Sequence, residues 1–270
     1  MAVFEVNFYA QTLNRNVPLC VILPTDKFYF SGMKKREEGK PYKTLYLLHG
    51  VTDNYTNWLY NTRIRRWAEE QDLAVVMPSG DNSFYVNQPW NCNLYSEFIG
   101  KELVEFTRKT FPLSTKREDT YIAGLSMGGY GAMKNGLEYH ETFGAIATLS
   151  GAFIVDERVA DIPEHPRYVI ETREYKQSCF GTDLEAAGRS RLNTKVLIEQ
   201  LKAEEITFPK IYMACGKRDS LLSVNQDVSD HLTKCGIDHI FEIGEGDHEW
   251  DFWDTYIKKV IDWLPLEGRE

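Results

Sequence analysis

Phe4, Val6 and Phe8 alternate with Glu5 and Asn7 across residues 3–9, the two-residue period of a strand with one covered face. A second extended run, 17–23, follows the turn-like stretch 11–16, so the N-terminus predicts an antiparallel meander. Residues 31–40, with two glycines and a run of charged side chains, predict a solvated loop. Short apolar runs at 44–48, 73–77, 120–124, 144–149, 210–215 and 239–243 predict further strands. Helical patterns at about 56–71, 96–110, after Ser126, near 224–235 and at 252–263 alternate with them. Strand and helix in repeated alternation predict an α/β protein with a doubly wound, mostly parallel sheet. Between residues 150 and 209 the rhythm is lost, and a stretch of that length inside a compact domain carries a function or its own short helices. It is read as a cap insertion at about 152–208. No repeat, low-complexity tract or linker divides the chain, so one domain spanning 1–270 is expected.

Composition narrows the function classes. A chain of 270 residues, 43% hydrophobic, can bury a core that needs neither disulfides nor a structural metal. Five scattered cysteines without a C-x-x-C pair predict reduced thiols. No apolar run approaches the roughly 20 residues of a membrane-spanning helix. The start, with Glu5 and Asn7, does not read as a secretory signal, so a cytoplasmic protein with no membrane partner is expected. A formal charge of −9, with only small basic clusters at 34–36 and 63–66, repels phosphate backbones, so nucleic acid is not an expected partner. Neither G-x-G-x-x-G nor G-x-x-x-x-G-K-[ST] occurs, and H-E-x-x-H is missing, so no cofactor and no metal are expected.

Gly124-Leu125-Ser126-Met127-Gly128 fits G-x-S-x-G, the pattern of a serine held on a sharp strand-to-helix turn. The pattern alone recurs by chance in roughly one of ten chains of this length, given glycine and serine near 7% of residues each. Here it follows an apolar strand and precedes a helix start rich in small residues, which is the context the turn requires. A serine hydroxyl is a poor nucleophile at neutral pH and needs a base, normally a histidine oriented by a carboxylate. His248 lies just beyond the last predicted strand, and Asp219 lies four residues past the strand before it, the places where this order of groups puts them. Asp247 and Glu249 flank the histidine, but adjacent side chains in a loop diverge. The oxyanion formed on attack needs N–H donors, expected from the backbone amides of Met127 and Val51. Aromatic residues cluster at 84–95 and 250–253, and Trp90 is a candidate pocket residue beside the serine.

These residues resemble the esterase D-type branch of the α/β-hydrolases, most closely the bacterial tributyrin esterases. The resemblance runs through Leu45-Tyr46-Leu47-Leu48-His49-Gly50, Phe111-Pro112, Lys116-Arg117-Glu118, the stretch from Ile122 to Gly131, Cys215-Gly216 with Asp219, and His248-Glu249-Trp250. It implies an α/β-hydrolase fold and a carboxylesterase acting on short acyl esters, with Ser126, Asp219 and His248 as its triad. The same branch holds S-formylglutathione hydrolases, feruloyl and acetyl-xylan esterases, and acyltransferase-like proteins. Leu125 and Tyr130 stand where S-formylglutathione hydrolases often carry histidine. The expected partner is thus a small-molecule ester, with assembly into a homo-oligomer left open. A binding module that kept the fold without catalysis is the rival from another class, and an intact serine, histidine and aspartate oppose it.

Overall fold

A computed structural model describes residues 1–29, 36–156 and 158–266, so residues 31–35 of the predicted solvated loop, and part of the basic cluster at 34–36, lie outside the described residues. The strands of the main sheet are β1 (Ala2–Ala10), β2 (Arg15–Leu23), β3 (Thr44–Leu48), β4 (Ala74–Pro78), β5 (Thr120–Leu125), β6 (Ala145–Leu149), β7 (Lys210–Gly216) and β8 (Ile240–Gly244). They form one eight-stranded sheet in the order β1-β2-β4-β3-β5-β6-β7-β8. β1 pairs antiparallel with β2, and β2 antiparallel with β4. From β4 onward every neighbour is parallel. This is the α/β-hydrolase architecture, with the predicted meander forming one edge.

Burial explains which runs became central strands. Every residue of β3, β4, β5 and β6 is buried, as parallel strands covered on both faces must be. The alternation of the strand then divides the core in two. Tyr46 and Leu48 of β3 face the layer that holds helix Met127–Glu138, with Ile122, Ile146 and Met213 from neighbouring strands. Leu45 and Leu47 face the opposite layer, with Trp58, Trp67 and the helix Trp250–Trp263.

The single helix expected over 56–71 is two helices, Asn57–Asn61 and Ile64–Glu70. Thr62 is extended there. Its hydroxyl donates to the Trp58 carbonyl and accepts from the Ile64 N–H, while the Arg63 N–H is drawn off to Asp254 on the last helix. The segment between β6 and β7 has no strand among the described residues and carries helices Arg173–Phe180, Leu184–Gly188 and Thr194–Ala203. No helix among the described residues is long and apolar enough to cross a membrane. With six parallel strands ending at one rim, the loops after β3, β5, β7 and β8 gather there, where open α/β sheets hold their sites.

Candidate active site

Ser126 occupies the turn between β5 and helix Met127–Glu138 with φ 53° and ψ −120°, a conformation L side chains rarely adopt. Hydrogen bonds over-determine it: its N–H donates to the Leu149 carbonyl at 2.9 Å, and its own carbonyl accepts from Ala152 at 2.9 Å and Tyr130 at 3.1 Å. The flanking glycines are required by close approach. A Cβ on Gly124 would lie 2.3 Å from the Gly128 carbonyl oxygen, and one on Gly128 would lie 2.4 Å from that of Leu48. The second constraint thus comes from the end of β3, not only from the turn itself.

His248 and Asp219 reach this turn from the last two strands. The Lys217 N–H donates to the Gly244 carbonyl at 2.8 Å and the Arg218 N–H to that of Gly246 at 3.1 Å, which lashes the two loops together. His248 Nε2 is 3.1 Å from Ser126 Oγ, and its Nδ1 is 2.9 Å from Asp219 Oδ2. The other Asp219 oxygen accepts from the Leu221 N–H at 2.8 Å. Burial alone would raise the Asp219 carboxyl; hydrogen bonds from His248, the Leu221 amide and Ser150, together with the charge of His248, hold it below its ordinary value. Asp247 and Glu249 serve their own loop: one accepts from the His248 N–H at 3.0 Å, the other from the Asp247 N–H at 3.1 Å. Among the described residues no three His, Cys, Asp or Glu side chains gather to hold a metal ion.

Met127 is the first residue of its helix, so its N–H has no partner within the helix and sits at the positive end of the dipole. The His49-Gly50-Val51 loop comes alongside: a Cβ on Gly50 would lie 3.5 Å from Ser126 Cβ. Sequence reasoning passed over His49 as a functional group, although the His-Gly pair ending a buried strand was its signal. The buried ring accepts the Gly80 N–H on Nε2 at 2.8 Å, which leaves Nδ1 as the donor to the Gly50 carbonyl at 2.7 Å. Tyr85 adds a hydroxyl bond to the His49 carbonyl at 3.0 Å. Burial also pushes the nearby Asp53 carboxyl up to about 6. Asn82 is a further contact that no sequence signal marked. Its Oδ1 accepts the Thr52 N–H at 2.8 Å, and its carbonyl accepts the Tyr175 hydroxyl at 2.9 Å from helix Arg173–Phe180.

Burial drives the imidazole of His49 from 6.5 down to about 4, so the native state refuses a proton that the unfolded chain accepts. Above pH 6.5 both states are neutral there and nothing is lost; as pH falls towards 4 the unfolded state gains protons first, and stability drops by about 3 kcal/mol. Urea unfolding from pH 7.5 to 4.5 is expected to show a steeper loss in the native protein than in His49→Gln. Equal slopes would contradict this reading of the buried ring.

The aromatic residues divide between packing and surface. Phe84, Tyr85 and Tyr95 are buried in the core. Trp250 and Trp253 stack edge to face at 5.2 Å, and Trp253 meets the His248 ring at 4.9 Å. Trp90 is about half exposed, donates to the Ser178 carbonyl at 3.2 Å and lies against Gly181, at the start of the segment after helix Arg173–Phe180. Those contacts tie Trp90 to the helical segment between β6 and β7.

The family described as "Putative esterase" matches residues 10–261. A protein named acetyl esterase from Caldicellulosiruptor saccharolyticus is 42% identical over 264 residues, covering 98% of each chain. The substrate-bound fluorophosphonate-binding serine hydrolase FphF of Staphylococcus aureus superposes with a TM-score of 0.83 at 34% identity, over 97% of this chain and 98% of that one. The S-formylglutathione hydrolase FrmB of Staphylococcus aureus does so with a TM-score of 0.81, also at 34% identity and over the same shares of the two chains. A ferulic acid esterase shares the fold at a TM-score of 0.77 and 20% identity. The chain therefore belongs to this esterase family: it is a serine hydrolase of carboxylic ester bonds on an α/β-hydrolase fold.

Proposed function

We propose that the protein hydrolyses short-chain acyl esters through a Ser126-His248-Asp219 triad and an acyl-enzyme. The observation that carries this reading is the continuous hydrogen-bonded line from the Ser126 hydroxyl through both ring nitrogens of His248 to the buried Asp219 carboxylate. His248 takes the hydroxyl proton as Ser126 attacks the acyl carbon, and Asp219 holds the Nδ1–H tautomer and balances the imidazolium. The Met127 and Val51 amides receive the oxyanion, each donor contributing about 3 kcal/mol to lowering the barrier. His248 then returns its proton to the departing alcohol oxygen, and a water activated in the same way releases the acid.

The acetyl esterase relative supports a small acyl group, and the likeness to tributyrin esterases supports butyryl esters beside it. In this reading residues 152–208 cap a single domain, and they select the substrate. The support is local: helix Arg173–Phe180 rests on Asn82, which in turn holds Thr52 next to Val51. Cysteines free of disulfides fit a reducing cytoplasm.

Nitrophenyl esters from acetate to octanoate, assayed beside tributyrin, a feruloyl ester and S-formylglutathione, test the substrate class. The expected result is the highest kcat/KM between acetate and butyrate, with octanoate lower by about tenfold, or ~1.4 kcal/mol of transition-state binding. The S-formylglutathione hydrolase neighbour favours a thioester as the second reading. A larger kcat/KM on S-formylglutathione than on every oxygen ester would replace the first reading with it.

A further inference from the structure

We infer that Asn82 is a positioning residue for the oxyanion site: its side chain fixes the peptide that follows Val51, and its carbonyl ties that peptide to helix Arg173–Phe180. The inference rests on the proposed attack by Ser126 with the Val51 amide as a donor, and it gives Asn82 a part in the rate beyond seating the helix.

The Val51 N–H and the Gly50 carbonyl belong to one peptide, and a planar trans peptide points them in opposite directions. Whatever fixes that carbonyl therefore aims the donor. His49 Nδ1 does so at 2.7 Å, with its ring held in turn by the Gly80 N–H at 2.8 Å. The next peptide joins Val51 to Thr52, and its N–H donates to Asn82 Oδ1 at 2.8 Å. Thr52 stands at φ 71°, in the left-handed region, where a β-branched residue is an outlier that persists only when its surroundings hold it. Asn82 supplies that hold. With the peptides on both sides of the Val51 Cα tied down, rotation of the donor is opposed from either side.

Both ties come from one short loop. Residues 80–85 give the Gly80 N–H to the His49 ring, the Asn82 side chain to Thr52 and the Tyr85 hydroxyl to the His49 carbonyl at 3.0 Å. The Phe84 N–H lies 3.4 Å from the sulfur of Met127, whose amide is the other donor, so the loop touches the residues of both donors. Asp81, Phe84 and Tyr85 stand at φ 46°, 54° and 55°, which gives the loop a defined course. Helix Arg173–Phe180 sits on the same loop. The Tyr175 hydroxyl and the Cys179 thiol both donate to the Asn82 carbonyl, at 2.9 and 3.4 Å, and Phe84 meets Phe180 edge to face at 5.1 Å. One residue thus joins the helix, through its main chain, to the oxyanion loop, through its side chain.

The test uses the full chain, p-nitrophenyl acetate and trifluoroacetone, whose hemiketal with a serine mimics the oxyanion. Asn82 is exposed, so the melting temperature of Asn82→Ala is expected to stay within about 2 °C of native. Its kcat is expected to fall by about tenfold with KM within about twofold, a fraction of the roughly 10²- to 10³-fold lost when an oxyanion donor is removed outright. Trifluoroacetone affinity is expected to fall in step, by about tenfold, because both report the oxyanion and not the ground state. A merely structural role would lower the melting temperature and leave kcat and that affinity alone. Asn82→Asp keeps an acceptor for the Thr52 N–H at an exposed, screened position and is expected to bring kcat back to within about threefold of native. Tyr175→Phe is expected to lower kcat by about threefold, and to cost nothing further on top of Asn82→Ala, because the side chain that relays its effect is gone. Unchanged kcat or unchanged trifluoroacetone affinity in Asn82→Ala would overturn the inference, as would an Asn82→Asp variant no faster than the alanine one. Losses that add in the double variant would cut the link to the helix. If Asn82→Ala does not fold, Tyr175→Phe decides alone, and an unchanged kcat there overturns the proposal. Ser126→Ala, run in parallel, separates the two levels: retained activity there removes the triad reading, whereas its loss beside an unaffected Asn82→Ala removes only the role of Asn82.

Discussion

Ser126→Ala is expected to lower kcat on short acyl esters by about six orders of magnitude and to leave the fold intact. The fold survives because the turn is fixed by main-chain bonds, from Ser126 N–H to Leu149 and from Ala152 and Tyr130 to the Ser126 carbonyl, none of which uses the hydroxyl. The activity does not survive because the only atom removed is the one 3.1 Å from His248 Nε2. An alanine leaves the base with no proton to take and the acyl carbon with no attacking group in reach. The residual rate, about 10³ to 10⁴ above water, is what oxyanion donors and substrate binding supply on their own. Steady-state assays of purified native and variant proteins with matching melting curves measure the effect. Activity within tenfold of native would remove Ser126 as the nucleophile and revive a protein that binds without this chemistry.

Asp219→Asn is the second large effect, a loss of about 10⁴ in kcat with little change in KM. The substitution keeps the volume, and the Oδ1 atom still accepts the Leu221 N–H. With that oxygen committed, the asparagine NH2 faces His248 Nδ1, which must then accept. The ring proton moves to Nε2, the nitrogen that has to receive the Ser126 proton, so the base is blocked by its own tautomer. Native-like kcat in this variant would mean that Asp219 does not orient the histidine. Carboxylates next in sequence offer no substitute, because Asp247 and Glu249 are engaged with the main chain of their own loop.

Much of this site was legible in the sequence because its parts obey local rules. The G-x-S-x-G turn needs glycine where β3 and the turn itself leave no room for a Cβ, and that requirement is written into five consecutive residues. Counting from strand ends places His248 and Asp219 near the turn, since the topology puts successive parallel strands out at the same rim. The sheet was legible for the same reason: apolar runs in β3 to β6 have no alternative but burial on both faces.

What the sequence concealed depends on partners distant in the chain. The break at Thr62 follows from Asp254 on the last helix, 191 residues away from the Arg63 amide it captures. The role of His49 needs Gly80 and Tyr85, from a loop with its own left-handed residues, to show that the ring is an internal brace and not a surface group. Asn82 gives no sign at all, being one asparagine among several until Thr52 and Tyr175 are folded against it. The bond from Trp90 to Ser178, 88 residues on, that sets it against the helical segment is likewise invisible in the sequence.

Rapid quenching of the native protein with p-nitrophenyl acetate, followed by peptide mass spectrometry, tests most directly whether acyl transfer passes through the serine of the strained turn. The account predicts an acetyl group on the peptide holding Ser126, formed within one turnover and accumulating further in Asp219→Asn if that substitution slows deacylation more than acylation. Full hydrolysis with no acetylated Ser126 at any quench time, or the acetyl group on another residue of an active protein, would contradict it.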